Sequence, residues 1–239
     1  MDTGSMERNL MCVKWGTKFS AEHVNRLYRM ARRNISLPFT FYCYTDDPTD
    51  IDPAIIIIPL DLSLNLEAWW WKLTMFKEND LVGINLFFDL DVVIQNNIDN
   101  LFDKAVPNKL TLIDRSVFDT IQEYMYNSSI MVWYNNQMCS LYNVFTKRTT
   151  YYTKIYSGID RLFTNEFSTN LFADIGTDVY YFRTEVTDLF TYTDNQQYSI
   201  IFPDGLMSQR AFYNKEKQIC VFNSCHEDYF YKNMEDYFL

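Results

Sequence analysis

Apolar runs of strand length alternate with helix-spaced apolar positions through the first half of the chain. LMCVKW (10–15) reads as a strand and Gly16-Thr17 as a turn. Ser20 caps a helix whose apolar positions Val24, Leu27, Tyr28 and Ala31 recur at helical spacing. FTFYCYT (39–45) and AIIIIPL (54–60) are further strands, the first ended by Asp46, Asp47 and Pro48. EAWWWKLTMF (67–76) reads as a helix that buries Trp69, Leu73 and Phe76 and leaves Lys72 off that stripe. NNIDNLFD (96–103) is a turn leading through Asp99 into a short helical turn, and LTLID (110–114) and NSSIMVW (127–133) are strands.

A helical stretch over 137–156 follows, and Gly158, Ile159, Asp160 and Arg161 break it. Residues 169–197 are rich in Asp, Thr and Tyr without periodicity, which suggests an inserted hairpin or lid. Segments 201–212 and 218–228 return to strand and turn, and 228–239 reads as an amphipathic tail helix. Strand and helix in alternation predict an α/β fold with a mainly parallel sheet flanked by helices. Ligands of such sheets sit beyond the carboxyl ends of strands, so residues 14–17 and 45–47 form one candidate wall of a site.

The run LFFDLDVVI (86–94) is interrupted only by Asp89 and Asp91. In one buried strand, residues two apart point the same way, and carboxylates there need a partner. Two readings are open: a hard divalent cation that carries a nucleotide diphosphate, or Asx caps that end the strand. Lys72, preceding this run, is a candidate phosphate contact, whereas Trp69, Trp70 and Trp71 read first as core. Tyr151, Tyr152, Tyr180 and Tyr181 are candidate sugar-stacking rings, with a partner interface or plain packing the favoured alternatives.

Composition narrows the classes. The chain has 239 residues, 48% of them hydrophobic, which is enough for one substantial core. A formal charge of −10 repels a polyanion and argues against nucleic acid as partner. The cysteines, Cys12, Cys43, Cys139, Cys220 and Cys225, lack disulfide-scaffold density and read as reduced thiols. With no apolar segment long enough to span a bilayer, the expectation is a soluble, cytoplasmic protein. Residues 1–5 (MDTGS) read as the remnant of an added leader, and 6–239 as one domain.

Taken in order, CVKWGTKFSAEHVNRLYRMARRN, FYCYTDD, WWWKL, FFDLDVVI, NIDNLF, NSSIMVW, GIDR and FPDGLMSQR resemble a GT-A-type glycosyltransferase. The resemblance is to the glycogenin and galactosyltransferase group, family 8, and to related phage and large-DNA-virus enzymes, which would place the protein in host cytoplasm. It covers about residues 10–225 apart from 169–197. It implies a single Rossmann-like nucleotide-binding domain, a nucleotide-sugar donor of the UDP-sugar class, Mn²⁺ or Mg²⁺ on the diphosphate, and a glycan or glycoprotein acceptor. Carried onto this chain, Asp89 and Asp91 would hold the metal, with Leu90 between them in the donor wall. Lys14, Trp15, Gly16 and Thr17 would line the nucleotide, and Thr45, Asp46 and Asp47 would meet base and ribose. Lys72 would reach donor phosphates or sugar. Asn127 and Ser128 match the sugar-side NSG or NSS block, and Asp160 an acidic position between donor sugar and acceptor. The late FHG-type turn departs from the pattern: it reads Phe222, Asn223, Ser224, Cys225, His226 without the following KP. The third metal ligand is therefore left among His226, Asn223 and water.

Breaking a sugar–phosphate bond builds charge on the departing diphosphate, and a carboxylate near the sugar can stabilise oxocarbenium character or accept the acceptor's proton. Asp160 is the first candidate for that carboxylate and Asp194 the second. Two rivals stand beside this reading. FFDLDVVI also resembles the opening of haloacid-dehalogenase-type phosphatases, with Asp89 as nucleophile and Asp91 as acid. That motif, however, normally opens the fold's first strand, and no later acidic pair completes it. The other rival is a non-catalytic carbohydrate-binding protein on the same fold.

Overall fold

The computed structural model describes residues 6–94, 96–114 and 125–176, and the backbone of four short strands at 179–181, 197–200, 211–214 and 219–221. Its centre is a seven-stranded sheet. The strands are β1 (Arg8–Lys14), β2 (Thr40–Thr45), β3 (Ile56–Pro59), β4 (Ile84–Phe88), β6 (Leu110–Asp114), β7 (Tyr126–Tyr134) and β8 (Phe172–Asp174) in the spatial order β3-β2-β1-β4-β7-β6-β8. All run parallel except β7, which pairs antiparallel with β4 and β6. The mainly parallel α/β sheet expected from the pattern is present.

Two smaller sheets accompany it. One joins β5 (Val92–Ile94), β12 (Ile219–Val221) and β9 (Val179–Tyr181), and the other pairs β10 (Gln197–Ile200) with β11 (Ala211–Asn214). The range 169–197, expected to be an inserted hairpin or lid, contributes β8 to the main sheet's edge and β9 to the three-stranded sheet. The α-helices among the described residues are α1 (Ala21–Asn34), α2 (Cys139–Lys147), α3 (Thr149–Ile155) and α4 (Ile159–Glu166), with short 3₁₀ segments between elements. Among the described residues, no helix is long and apolar enough to cross a membrane.

Strand alternation divides the core in two. Leu10 and Cys12 of β1 and Ile84, Leu86 and Phe88 of β4 face α1, where they pack on Val24, Leu27 and Ala31. Met11 and Phe87 face the other way, into a layer containing Trp70, Trp71, Trp133, Phe145 and Phe163. Ser20 caps α1 as expected, its N–H donating to His23 Nδ1 at 3.1 Å, so a histidine supplies the acceptor that Glu or Gln gives in a capping box. At the sheet's far end, Asn9 Nδ2 donates to Asn85 Oδ1 (2.9 Å), Asn85 Nδ2 to Asn135 Oδ1 (3.1 Å), and Asn135 Nδ2 to Asn79 Oδ1 (3.1 Å). This amide chain sets β1 and β4 in register, because a one-residue slip would leave buried amides without partners.

Three expectations about elements are corrected. Residues 68–76 form a 3₁₀ helix, Ala68–Phe76, rather than an amphipathic α-helix. The segment is buried nearly all round from Trp70 to Phe76, so it has no polar face to define a stripe: Lys72 is buried and Trp69, at its open start, is exposed. The run 86–94 is two strands, not one; β4 ends at Phe88, and Val92 N–H donates to Asp89 O (3.3 Å) across a turn before β5. The break at 158–161 is the start of α4, with Gly158 at its N-cap.

Candidate active site

The sheet's strand order reverses between β1 and β4: from β1 the chain runs outward to β2 and β3, then returns to place β4 on the other side. The carboxyl ends of the two strands that flank such a reversal form the crevice where α/β sheets bind ligands. At this crevice lie the end of β1, Lys14, and the turn after β4, Asp89 to Asp91. The antiparallel β7 brings its first residues alongside, with Asp89 N–H donating to Ser129 O at 2.9 Å.

Phe87 and Asp89 share a face by alternation, the face covered by the 3₁₀ helix. Lys72 descends from that helix, passes over the Phe87 ring at 5.4 Å, and places Nζ 2.6 Å from both Asp89 oxygens. Its Nζ also lies 3.4 Å from Ser128 Oγ. Lys72, a candidate phosphate contact, is ion-paired with Asp89. Asp91 is treated differently. Its Oδ1 is sealed from solvent and has no hydrogen-bond partner among the described residues. Burial, with the Asp89 charge added, pushes its carboxyl up to about 8, partly offset by Lys72 and Lys18. An orphaned, desolvated carboxylate oxygen is costly unless something occupies it. The donor set, hard oxygens on a turn, fits a Mg²⁺- or Mn²⁺-like cation.

Asp160 enters from the first turn of α4. Ser128 N–H donates to its Oδ1 (3.0 Å) and Asn127 Nδ2 to its Oδ2 (3.4 Å). Burial raises its pKa, against the lowering pull of Lys72 and the Ser128 bond. Asp160 is thus tied to the NSS segment. The structure brings Asp89, Asp91, Lys72, Asn127, Ser128 and Asp160 together.

The wall beyond β1 and β2 is also assembled. Gly16 N–H donates to both Asp46 oxygens (3.2 and 3.1 Å), and buried Lys14 Nζ donates to Asp47 O (3.2 Å). Thr45 Oγ1 donates to Asp47 O at 3.0 Å and accepts Asp47 N–H at 3.1 Å, which fixes the turn. Hydrogen bonds from Thr49 hold the exposed Asp47 carboxyl below its ordinary value. Gly16 is left-handed at φ +64°, with open space where a side chain would stand, while Trp15 is half-buried and Thr17 exposed. Lys18, in the same loop, acts electrostatically on Asp91; sequence reasoning passed over it because an exposed loop lysine carries no motif.

His226 and Asp194, and the Phe222 to Cys225 turn, lie outside the described residues. Among the described residues, no group of three or more His, Cys, Asp or Glu side chains is gathered to hold an ion. Of the candidate stacking tyrosines, Tyr151 is exposed and Tyr152 buried, and for Tyr180 and Tyr181 only the backbone is described. Cys12, Cys43 and Cys139 are free thiols.

No protein-family model matches the chain, and no curated protein sequence is recognisably similar to it. Solved structures are. The galactosyltransferase LgtC, in complex with donor and acceptor sugar analogues, superposes with a TM-score of 0.60 at 8% identity, over 91% of this chain and 88% of its own. The glycosyltransferase GlyE of Streptococcus pneumoniae TIGR4 gives 0.54 at 11% identity, over 71% of this chain. The match spans only 45% of GlyE's length. At such identities the likeness is one of fold, and the chain has the α/β architecture of GT-A glycosyltransferases.

Proposed function

We propose that the chain is a metal-dependent glycosyltransferase that moves a hexosyl or pentosyl group from a nucleotide-sugar donor, a UDP-sugar, to a hydroxyl of a glycan or glycoprotein. The observation that carries this reading is the convergence of Asp89, Lys72, Asp160 and the orphaned Asp91 oxygen at the β1/β4 crevice. The fold shared with LgtC supports it, as does the ordered set of motifs resembling family 8 and its viral and phage relatives. Free thiols suit the cytoplasm.

Asp89 and Asp91 would hold Mn²⁺ or Mg²⁺, with His226 as a further ligand candidate; the ion would supply positive charge to the departing diphosphate. The remaining work falls to the chain. Lys72 holds Asp89 in place through its 2.6 Å contacts, and its charge would lie beside the leaving group. The wall at Lys14, Gly16, Thr45 and Asp46 receives the nucleoside. In the reaction the anomeric carbon–diphosphate oxygen bond breaks, its electron pair leaving with the nucleoside diphosphate. A bond to the acceptor oxygen forms, and the acceptor's hydroxyl proton passes to a carboxylate. Asp160 suits that last role, since burial already favours its protonated form and Ser128 and Asn127 fix its direction.

Incubation with UDP-sugars, Mn²⁺ and a panel of glycans, with released UDP and labelled product both measured, tests this. Asp160→Asn should lower transfer about 100-fold or more. Near-wild-type transfer by Asp160→Asn would remove Asp160 from the chemistry, and hydrolysis of a generic phosphate ester without nucleotide dependence would favour the phosphatase reading.

A further inference from the structure

We propose that the indole of Trp69 is the platform on which a saccharide acceptor stacks the apolar face of one pyranose ring. This rests on the transferase reading and assigns its acceptor side. Of the three consecutive tryptophans, Trp70 and Trp71 are 5% and 1% exposed, whereas Trp69 is 48% exposed. Trp69 is nonetheless held in place. A Cβ on Gly158 would stand 3.4 Å from its Nε1 and 3.7 Å from Cδ1 and Cε2, so the pyrrole edge rests against the backbone at the N-cap of α4. The preceding residue, Ala68, is left-handed at φ +47°. For a residue with a Cβ this conformation is disfavoured, and such strain persists where the surroundings enforce it, often at functional sites.

Two connections place Trp69 near the groups of the candidate site. In a 3₁₀ helix residues three apart lie one above the other, separated by about 6 Å. Trp69 is therefore one turn outward from Lys72, whose Nζ grips Asp89. On the other side, Gly158 is two residues from Asp160, the carboxylate held by Ser128 and Asn127. An exposed indole beside this polar site matches the two-sided chemistry of a neutral sugar, with apolar C–H groups on one face of the ring and hydroxyls around it. The chain's charge of −10 disfavours an anionic acceptor.

The test is saturation-transfer NMR of methyl β-glucoside, methyl β-galactoside, lactose and maltose with wild-type protein, Trp69→Ala and Trp69→Phe, alongside thermal stabilisation by UDP and Mn²⁺. The wild type should saturate the ring C–H protons of at least one sugar. Trp69→Ala should bind that sugar about tenfold or more weakly, and Trp69→Phe should recover part of the loss. Nucleotide stabilisation should be unchanged in both variants, which also reports that they are folded. Sugar binding that is equal in Trp69→Ala, or absent for every sugar in the wild type, overturns the proposal. Trp69-dependent sugar binding without any stabilisation by nucleotide would leave the platform standing and sink the transferase reading instead.

Discussion

Lys72 and Asp89 meet at 2.6 Å in a site where Lys72 is 8% exposed, so each charge depends on the other. Replacing one partner leaves the second charge poorly solvated. Lys72→Met is expected to lower stability by about 3 kcal/mol in urea unfolding and to abolish transfer. Adding Asp89→Asn to that variant should return most of the stability, because the orphaned charge is gone, and none of the transfer. A double variant no more stable than Lys72→Met would mean that the pair is not the source of the loss. At this scale the candidates at Asp89, Asp91, Asn127, Ser128 and Asp160, drawn from separate motifs, lie close together in the structure. What failed was the assignment of Trp69 and Lys72 to faces, since the α-helical period was applied to a segment that folds as 3₁₀ and is buried nearly all round. The ion pair itself had no signal in the sequence, as the partners are 17 residues apart and on different elements.

Among the elements, α1, β1, β6 and β7 follow from the pattern to within about a residue or two, because each carries a cap or an uninterrupted apolar run. The end of β4 was less legible: the apolar letters continue through Leu90 and Val92, although the chain turns there with Val92 N–H donating to Asp89 O. The start of β4 depends on Gly83, an unremarkable position in the sequence. Its φ is +95°, and a Cβ would stand 2.1 Å from Glu7 O, while Ile84 N–H donates to that same oxygen at 2.9 Å. Gly83→Ala would therefore combine an unfavourable φ with a backbone clash at the β1/β4 junction. The expected loss is on the order of 3 kcal/mol in denaturant unfolding. A loss within experimental error would mean that the close approach of β4 to Glu7 is not required.

For the molecule as a whole, the order β3-β2-β1-β4 puts the two best-formed parts of the site at one crevice: the β1/β2 turn wall and the turn after β4. This explains how widely separated motifs can serve one ligand, which strand–helix alternation predicted in kind, though not in detail. The central claim is that this crevice takes a nucleoside diphosphate through a cation held by Asp91. The most direct test is thermal unfolding of the wild type and Asp91→Ala with UDP, GDP, CDP and dTDP, each with and without Mn²⁺. A ligand at 100 times its Kd stabilises the folded state by about 2.7 kcal/mol, on the order of 5 °C or more for a chain of this size. The account predicts such a shift with UDP, dependent on Mn²⁺ and lost in Asp91→Ala. No shift with any nucleotide, or one that survives unchanged in Asp91→Ala, would contradict it.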